Sequence, residues 1–254
     1  MLFPKSRIIY RQSDPVYPFT NSKCFEKYEE RIIKNCDLSL FVNKLRLKYS
    51  IKNINNTKLN YKILGNGINI NNLKNELAKP KEYGQLKKIA LYIGAIGIDW
   101  PLLFYVARKL QDINFFVVSP IRVNKKIYEQ INDCRNVCFI NGVKPDKVFK
   151  FIKYCDIGII PYNLPDVVRE MYGMHAKIYQ FMYAKKPIVT YKIWLEKNLF
   201  GIFESHSELE FLNNIKKAFR LKRVNYNFNF NEITWENRTR KMLDYINKLA
   251  PSVH

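Results

Sequence analysis

From residue 88 to residue 205, apolar runs of strand length alternate with amphipathic stretches of helix length, and this rhythm narrows the possible folds more than any other feature. "KIALYIGAI" (88–96) is a continuous apolar run, as expected for a strand buried on both faces. A helix is expected near 100–111, a strand at "INFFVVSP" (113–120), a helix near 124–132 and a strand at "NVCFING" (136–142). "KPDKVFKFIKYC" (144–155) reads as a helix with Pro145 in its first turn. "DIGIIPY" (156–162) reads as a strand, 174–184 as a helix, "KPIVTY" (186–191) and "GIFES" (201–205) as strands, and 207–221 as a helix. Strands alternating with helices predict a parallel sheet in an α/β fold.

Upstream, "RIIYRQSD" (7–14) is a short strand ending in the turn Ser13-Asp14-Pro15, and Glu26 to Asn35 is a helix. "LSLFVN" (38–43) is strand-like, and "YKILGNGINI" (61–70) is a strand that breaks at Gly65-Asn66-Gly67. Residues 71–87 are polar, rich in Lys and Asn, and read as a linker between two units. The first residues lack the apolar core of a signal peptide. No apolar run reaches the ~20 residues that a membrane-spanning helix needs. The expectation is a cytoplasmic protein, peripheral on the inner face of the membrane.

Composition adds limits. The chain has 254 residues, enough for one large domain or two smaller ones, and its 47% hydrophobic content excludes a disordered chain. Lys and Arg outnumber Asp and Glu by 43 to 22, a net charge of +21 that attracts polyanions. The cations are scattered, and Asn and Ile are also frequent, as in the products of AT-rich genomes. A nucleic-acid-binding module would instead gather its cations on one face with interleaved aromatics, so no nucleic-acid partner is expected. The five cysteines (Cys24, Cys36, Cys134, Cys138 and Cys155) form no C-x-x-C pair, and with three histidines they make no zinc pattern. They read as free buried thiols, and no metal site is expected.

In parallel α/β sheets, ligands bind beyond the carboxyl ends of the strands at a topological switch point. The loops after Ile96, Ser119, Gly142 and Tyr162 belong to that edge, as does the start of helix 174–184. Lys177 and Gln180 occupy the first turns of this helix, three residues apart and on one face. A helix N-terminus attracts phosphate through free N–H groups and the macrodipole, a lysine adds a full charge, and a glutamine can bond a sugar hydroxyl. The bland alternative is a solvated helix face.

The series "YIGAIGIDW … VCFINGVKPDKVFKFIKYCDIGIIPY … MHAKIYQFMYAKKPIV" resembles the C-terminal, nucleotide-sugar-binding domain of the GT-B glycosyltransferases. Many proteins of that fold carry a glutamate where Gln180 stands, and the K-x-x-Q version is similar to the glucuronosyltransferase family that builds the acidic branch of xanthan. The resemblance covers 88–191 well and the rest loosely. It implies a GT-B-like α/β fold: a Rossmann-type donor domain over 88–222, a partial N-terminal Rossmann-like, acceptor-side lobe over 1–70, and a C-terminal tail and helix over 223–254.

Residue by residue, the resemblance implies that Lys177 contacts the donor diphosphate and Gln180 the donor ribose. Tyr162 lies in the nucleotide pocket beside Ala176, where the family has Met, and Asp99 lies in the loop after the first strand of this domain. Where the family has a glutamate after the strand equivalent to "VCFIN", this chain has Gly142, so base recognition by that side chain is lost. The resemblance further implies transfer of a sugar, with glucuronate one candidate, from a nucleotide sugar, UDP-linked first of all, to a saccharide or lipid-linked acceptor in polysaccharide synthesis. The reaction would be inverting and metal-independent, with no cofactor.

Inversion requires a carboxylate to take the acceptor proton. Asp14 is the first candidate, and its alternative role is to shape the Ser13-Asp14-Pro15 turn. Asp99 is the second, and its alternative is to cap the helix that begins at Trp100-Pro101. A complete N-terminal domain would carry further strands before "RIIYRQSD". Either the sequence is a fragment, or this lobe is reduced, or another chain supplies the rest. A donor-binding remnant without turnover is the competing functional class, and a basic nucleic-acid-binding module is the lesser alternative.

Overall fold

The computed structural model describes residues 6–13, 23–52, 54, 59–71, 77–94, 97–164, 173–193, 195 and 198–249. The chain divides into two compact units, one formed by Met1–Ile68 with Asn229–His254 and the other by Asn69–Phe228.

In the first unit, strands β1 (Ile9–Gln12), β2 (Leu38–Phe41) and β3 (Tyr61–Ile63) form a parallel sheet in that order. The central strand β2 is buried along its length, and its alternation sends side chains to both faces. Phe41 packs with Ile33 of helix α1 (Lys23–Asn35) and with Leu47 and Ile51 of helix α2 (Lys44–Ile51). Leu38 and Leu40 pack with Met242, Tyr245 and Ile246 of the C-terminal helix Trp235–Asn247. Each such side chain contributes roughly 1.5–3 kcal/mol of burial, which ties the last helix of the chain to the first strands.

Two expectations change here. The strand foreseen over 38–43 ends at Phe41, because the Asn43 side chain accepts from Arg46 N–H and starts α2, a helix with no clear apolar stripe in the sequence. The strand foreseen over 61–70 keeps only Tyr61–Ile63; past the glycines, Ile68 makes a single bridge to Thr234.

The second unit holds β4 (Ile89–Ile93), α3 (Trp100–Lys109), β5 (Asn114–Ser119), α4 (Lys125–Asn132), β6 (Val137–Asn141), α5 (Val148–Tyr154), β7 (Ile157–Pro161), α6 (Ala176–Tyr183), β8 (Ile188–Tyr191), β9 (Ile202–Ser205) and α7 (Glu208–Arg220). All six strands are parallel, in the order β6-β5-β4-β7-β8-β9. Counted within the unit this is 3-2-1-4-5-6, the doubly wound order whose switch point lies between its first and fourth strands, here β4 and β7. The helix expected over 144–155 begins as a 3-10 turn at Pro145–Lys147 before α5. Helix α7 starts with a reciprocal cap, Ser207 Oγ accepting from Glu210 N–H and Glu210 Oε2 from Ser207 N–H.

The described part of the stretch read as a linker is anchored to this unit. Tyr83 is fully buried, its ring edge-on to Phe116 and Phe151, and its hydroxyl donates to Phe151 O at 3.0 Å. The thiols also differ from expectation. Cys134 and Cys155 are buried, Cys36 and Cys138 half-buried, and Cys24 is exposed on α1.

Candidate functional site

Strands β4 and β5 pair over five positions, whereas β4 and β7 pair at Ala90 with Ile157 and Leu91 with Gly158. Past that register the sheet opens at its switch point, toward the carboxyl ends of the strands. The loop after β4 then folds back on the end of β7. Asp99 N–H donates to Pro161 O and Asn163 N–H to Gly97 O, both at 2.7 Å, around an antiparallel bridge between Ile98 and Tyr162.

Two tyrosines line the opening. Tyr92, from β4, is fully buried, and Tyr162, just after β7, is nearly so; their rings meet edge to face at 6.2 Å. Into them reaches Lys177, the second residue of α6. Its Nζ lies 4.5 Å from the Tyr92 ring centre and 4.8 Å from that of Tyr162, and donates to the Tyr92 hydroxyl at 3.4 Å. Two ring faces hold a cation by their quadrupoles. Among the described residues no carboxylate pairs with it. Burial pushes the ammonium pKa down from 10.5 to about 7.

The close approach depends on Gly94. A β-carbon there would lie 2.6 Å from both Lys177 Nζ and the Tyr92 hydroxyl, so any side chain would displace the ammonium. Helix α6 follows His175, whose side chain does not cap it and whose ring stacks on Tyr162 at 5.8 Å. The first-turn dipoles of α6 and the Lys177 ammonium therefore add at one place, the arrangement that suits a phosphate.

Of the residues singled out in the sequence, the structure brings together Lys177 and Tyr162, with Ala176 between His175 and Lys177 at the helix start. Gln180, half-buried, follows Lys177 by three positions on α6. Asp99 is the N-cap of α3, its Oδ1 accepting from Leu102 N–H at 3.0 Å. Asp14 lies outside the described residues. The adjoining Ser13 is held by Arg46, which donates to its carbonyl, and by Arg11, which donates to its hydroxyl. Sequence reasoning missed Tyr92, Gly94 and His175. The "YIG" at the end of an otherwise aliphatic run was the available signal, since a buried tyrosine needs a partner for its hydroxyl.

A concavity of about 210 Å³ opens on the same edge over the ends of β5 and β6, lined by Trp100, Ser119, Arg122, Asn124 and Phe139 among others. Its wall includes the Trp100 and Phe139 rings, 6.2 Å apart. No group of three His, Cys, Asp or Glu among the described residues is placed to hold a metal ion.

No family model and no curated protein matches the chain. Solved structures do. HepE of Anabaena, in complex with UDP and glucose, superimposes with a TM-score of 0.68 at 14% identity, over 96% of this chain and 72% of its own. A glycosyltransferase of Rickettsia africae gives 0.65 at 14% identity, over 91% and 68%. Sucrose-phosphate synthase of Thermosynechococcus elongatus gives 0.65 at 12% identity, over 95% and 67%. The fold is GT-B. The 3-2-1-4-5-6 sheet of the second unit is thus one Rossmann-type unit of a GT-B protein, and the parallel sheet of the first unit belongs to the same likeness, which spans both units. Identities of 12–14% carry the GT-B fold and leave the chemistry to the residues present.

Proposed function

We propose that the protein is a GT-B glycosyltransferase whose second unit binds a nucleotide-sugar donor at the switch point. The observation that carries this reading is Lys177: an ammonium held against two tyrosine rings at a helix N-terminus, with no carboxylate partner among the described residues. A half-buried cation so placed has no counter-ion among the described residues, and a diphosphate supplies one. Gln180, one turn along, bonds the donor ribose, with Tyr162 and Ala176 as the wall of the nucleotide pocket. The concavity beside Trp100 and Phe139 offers an aromatic wall for a heterocycle. UDP is the first choice of nucleotide, in keeping with the UDP bound to HepE. Glucuronate is one candidate sugar, and the acceptor is a saccharide or a lipid-linked saccharide of polysaccharide synthesis.

In the reaction the acceptor hydroxyl oxygen attacks the anomeric carbon, the bond from that carbon to the diphosphate oxygen breaks, and the hydroxyl proton passes to a carboxylate. Lys177 and the N–H groups of α6 stabilise the charge that grows on the leaving diphosphate. Asp14 is the proposed base, with attack from the opposite face giving inversion. Asp99, with one oxygen committed to its helix, is the second choice. The domain plan follows this reading: the first unit is the acceptor side, and the cationic chain works at the cytoplasmic face of an anionic membrane.

Calorimetric titration with UDP, GDP and UDP-glucuronate tests the donor site, and product analysis by NMR reads the anomeric configuration. Absence of binding by all three nucleotides would sink the proposal. The chain spans 67–72% of the length of the three neighbours, and the competing reading is a donor-binding protein without turnover. Donor binding without transfer or hydrolysis would select it.

A further inference from the structure

The amino ends of the strands in the second unit form the edge opposite the proposed donor site, and that edge has its own character. In a parallel sheet each connecting helix runs back against the strands, so helix C-termini collect there. Helix α7 ends in Lys216, Lys217 and Arg220, followed by Lys222 and Arg223, all exposed. Lys185, also exposed, follows α6, and Val224 N–H donates to its carbonyl at 3.0 Å. Arg108 and Arg135 line a concavity on the same edge between α3 and β6. Of the acids there, the exposed Asp133 lines that concavity with Arg108 and Arg135, Asp112 is paired with Lys88 at 2.5 Å, and Asp156 accepts from Ile89 N–H at 2.7 Å.

Cations at helix C-termini complement the macrodipole, and that alone explains Lys217 and Arg220. It does not explain Lys185, Lys222 and Arg223, which lie outside helices, nor an apolar residue on a segment bonded to theirs. Phe200, just before β9, is 76% exposed, more than any other exposed large apolar side chain described. Its position is fixed. Gly201, at a φ of 90° open to glycine, packs so closely that a β-carbon would lie 2.5 Å from Val224. The Tyr226 hydroxyl shares its one proton between Lys186 O at 2.8 Å and Gly201 O at 3.2 Å, and Ile188 N–H donates to Gly201 O at 2.9 Å. Three segments, 185–188, 200–202 and 222–226, are thereby knotted into a rigid support. It holds an aromatic ring out in water, on one of three linked segments of which the other two carry Lys185, Lys222 and Arg223.

We propose that this edge is a docking surface for an anionic lipid bilayer, with Phe200 entering the interface and Lys185, Lys222 and Arg223 lying on the headgroups. Scattered cations on a soluble face explain attraction to any polyanion; a protruding ring backed by a rigid knot serves a surface with an apolar interior. The inference deepens the membrane part of the function proposed above and is independent of the donor site.

The test is co-sedimentation of the whole chain with phosphatidylcholine vesicles carrying about 30% phosphatidylglycerol, against pure phosphatidylcholine. The wild type should bind the anionic vesicles and release as salt rises. Lys222→Gln with Arg223→Gln should lower partitioning about 20–30-fold, at about fivefold per cation. Phe200→Ser should lower it about tenfold, with circular dichroism and UDP binding unchanged. Wild-type binding that neither variant weakens overturns the surface and leaves the membrane reading standing; no wild-type binding ends both. If Phe200→Ser has no effect while the double variant equally weakens binding to short duplex DNA, the face is a general polyanion site and the lipid assignment is wrong.

Discussion

Replacing Lys177 with methionine keeps most of the stem and removes the charge, and it should move binding and stability in opposite directions. Burial lowers the ammonium pKa from 10.5 to about 7, a difference equivalent to roughly 5 kcal/mol between the charged and neutral forms. The side chain is half-buried, so water screens part of this, and the penalty of carrying the charge in the empty site is on the order of 2 kcal/mol. The sign follows from proton counting. Between pH 7 and 10.5 the unfolded chain binds more protons at this residue than the folded one, so its contribution to stability rises with pH across that window. Below about pH 7 both states are charged and the full penalty applies. Lys177→Met should therefore be more stable than wild type by about 1–3 kcal/mol at neutral pH and below, the gap narrowing as pH rises. The same change removes a charge-assisted bond to phosphate worth roughly 1.5–3 kcal/mol, so UDP affinity should fall about tenfold to over a hundredfold. Urea unfolding at several pH values, with and without UDP, measures both. A variant less stable than wild type at every pH, with nucleotide affinity unchanged, would make Lys177 a packing residue and refute the argument.

Gly94→Ala puts a β-carbon 2.6 Å from both the ammonium and the hydroxyl of the fully buried Tyr92; the lysine end can swing away but the ring cannot, so calorimetry should show weakened UDP binding and urea unfolding a lower midpoint. Gln180→Ala removes one neutral hydrogen bond and should cost about 0.5–1.5 kcal/mol of donor affinity by the same measurement. Asp14→Asn should leave UDP binding intact and lower transfer by about 10²–10⁴-fold in a radiolabelled-sugar assay, whereas an Asp14 that only shapes its turn would show a lower unfolding midpoint and normal turnover.

The doubly wound sheet was legible because its strands are long apolar runs, and burial on both faces leaves β4, β5 and β7 little choice. Helix α2 was not, since "KLRLKYSI" carries no stripe, and what starts it is one asparagine side chain at Asn43. The grouping of Trp235–Asn247 with the first unit was equally hidden: an apolar helix face does not say which strands it covers, and Met242, Tyr245 and Ile246 meet Leu38 and Leu40 some two hundred residues away. Tyr83 hid in a polar stretch, because one aromatic among lysines gives no periodicity, yet its ring fills a hole between Phe116 and Phe151.

The proposed donor site rests on a reading that was legible in part, and the part that was hidden makes the physical case. Spacing and topology brought Lys177 to the sheet edge, but a lysine at a helix start is ordinary, and solvent is its usual place. What departs from the ordinary is its surroundings: an ammonium drawn onto Tyr92 and Tyr162 past a glycine that leaves it room, in an opening where β4 and β7 stop pairing. A half-buried ammonium with no carboxylate partner among the described residues lowers stability on its own. On the proposed reading the fold keeps this feature for a ligand that supplies what is missing, and a dianionic diphosphate would supply the counter-charge and bond the α6 N–H groups at once.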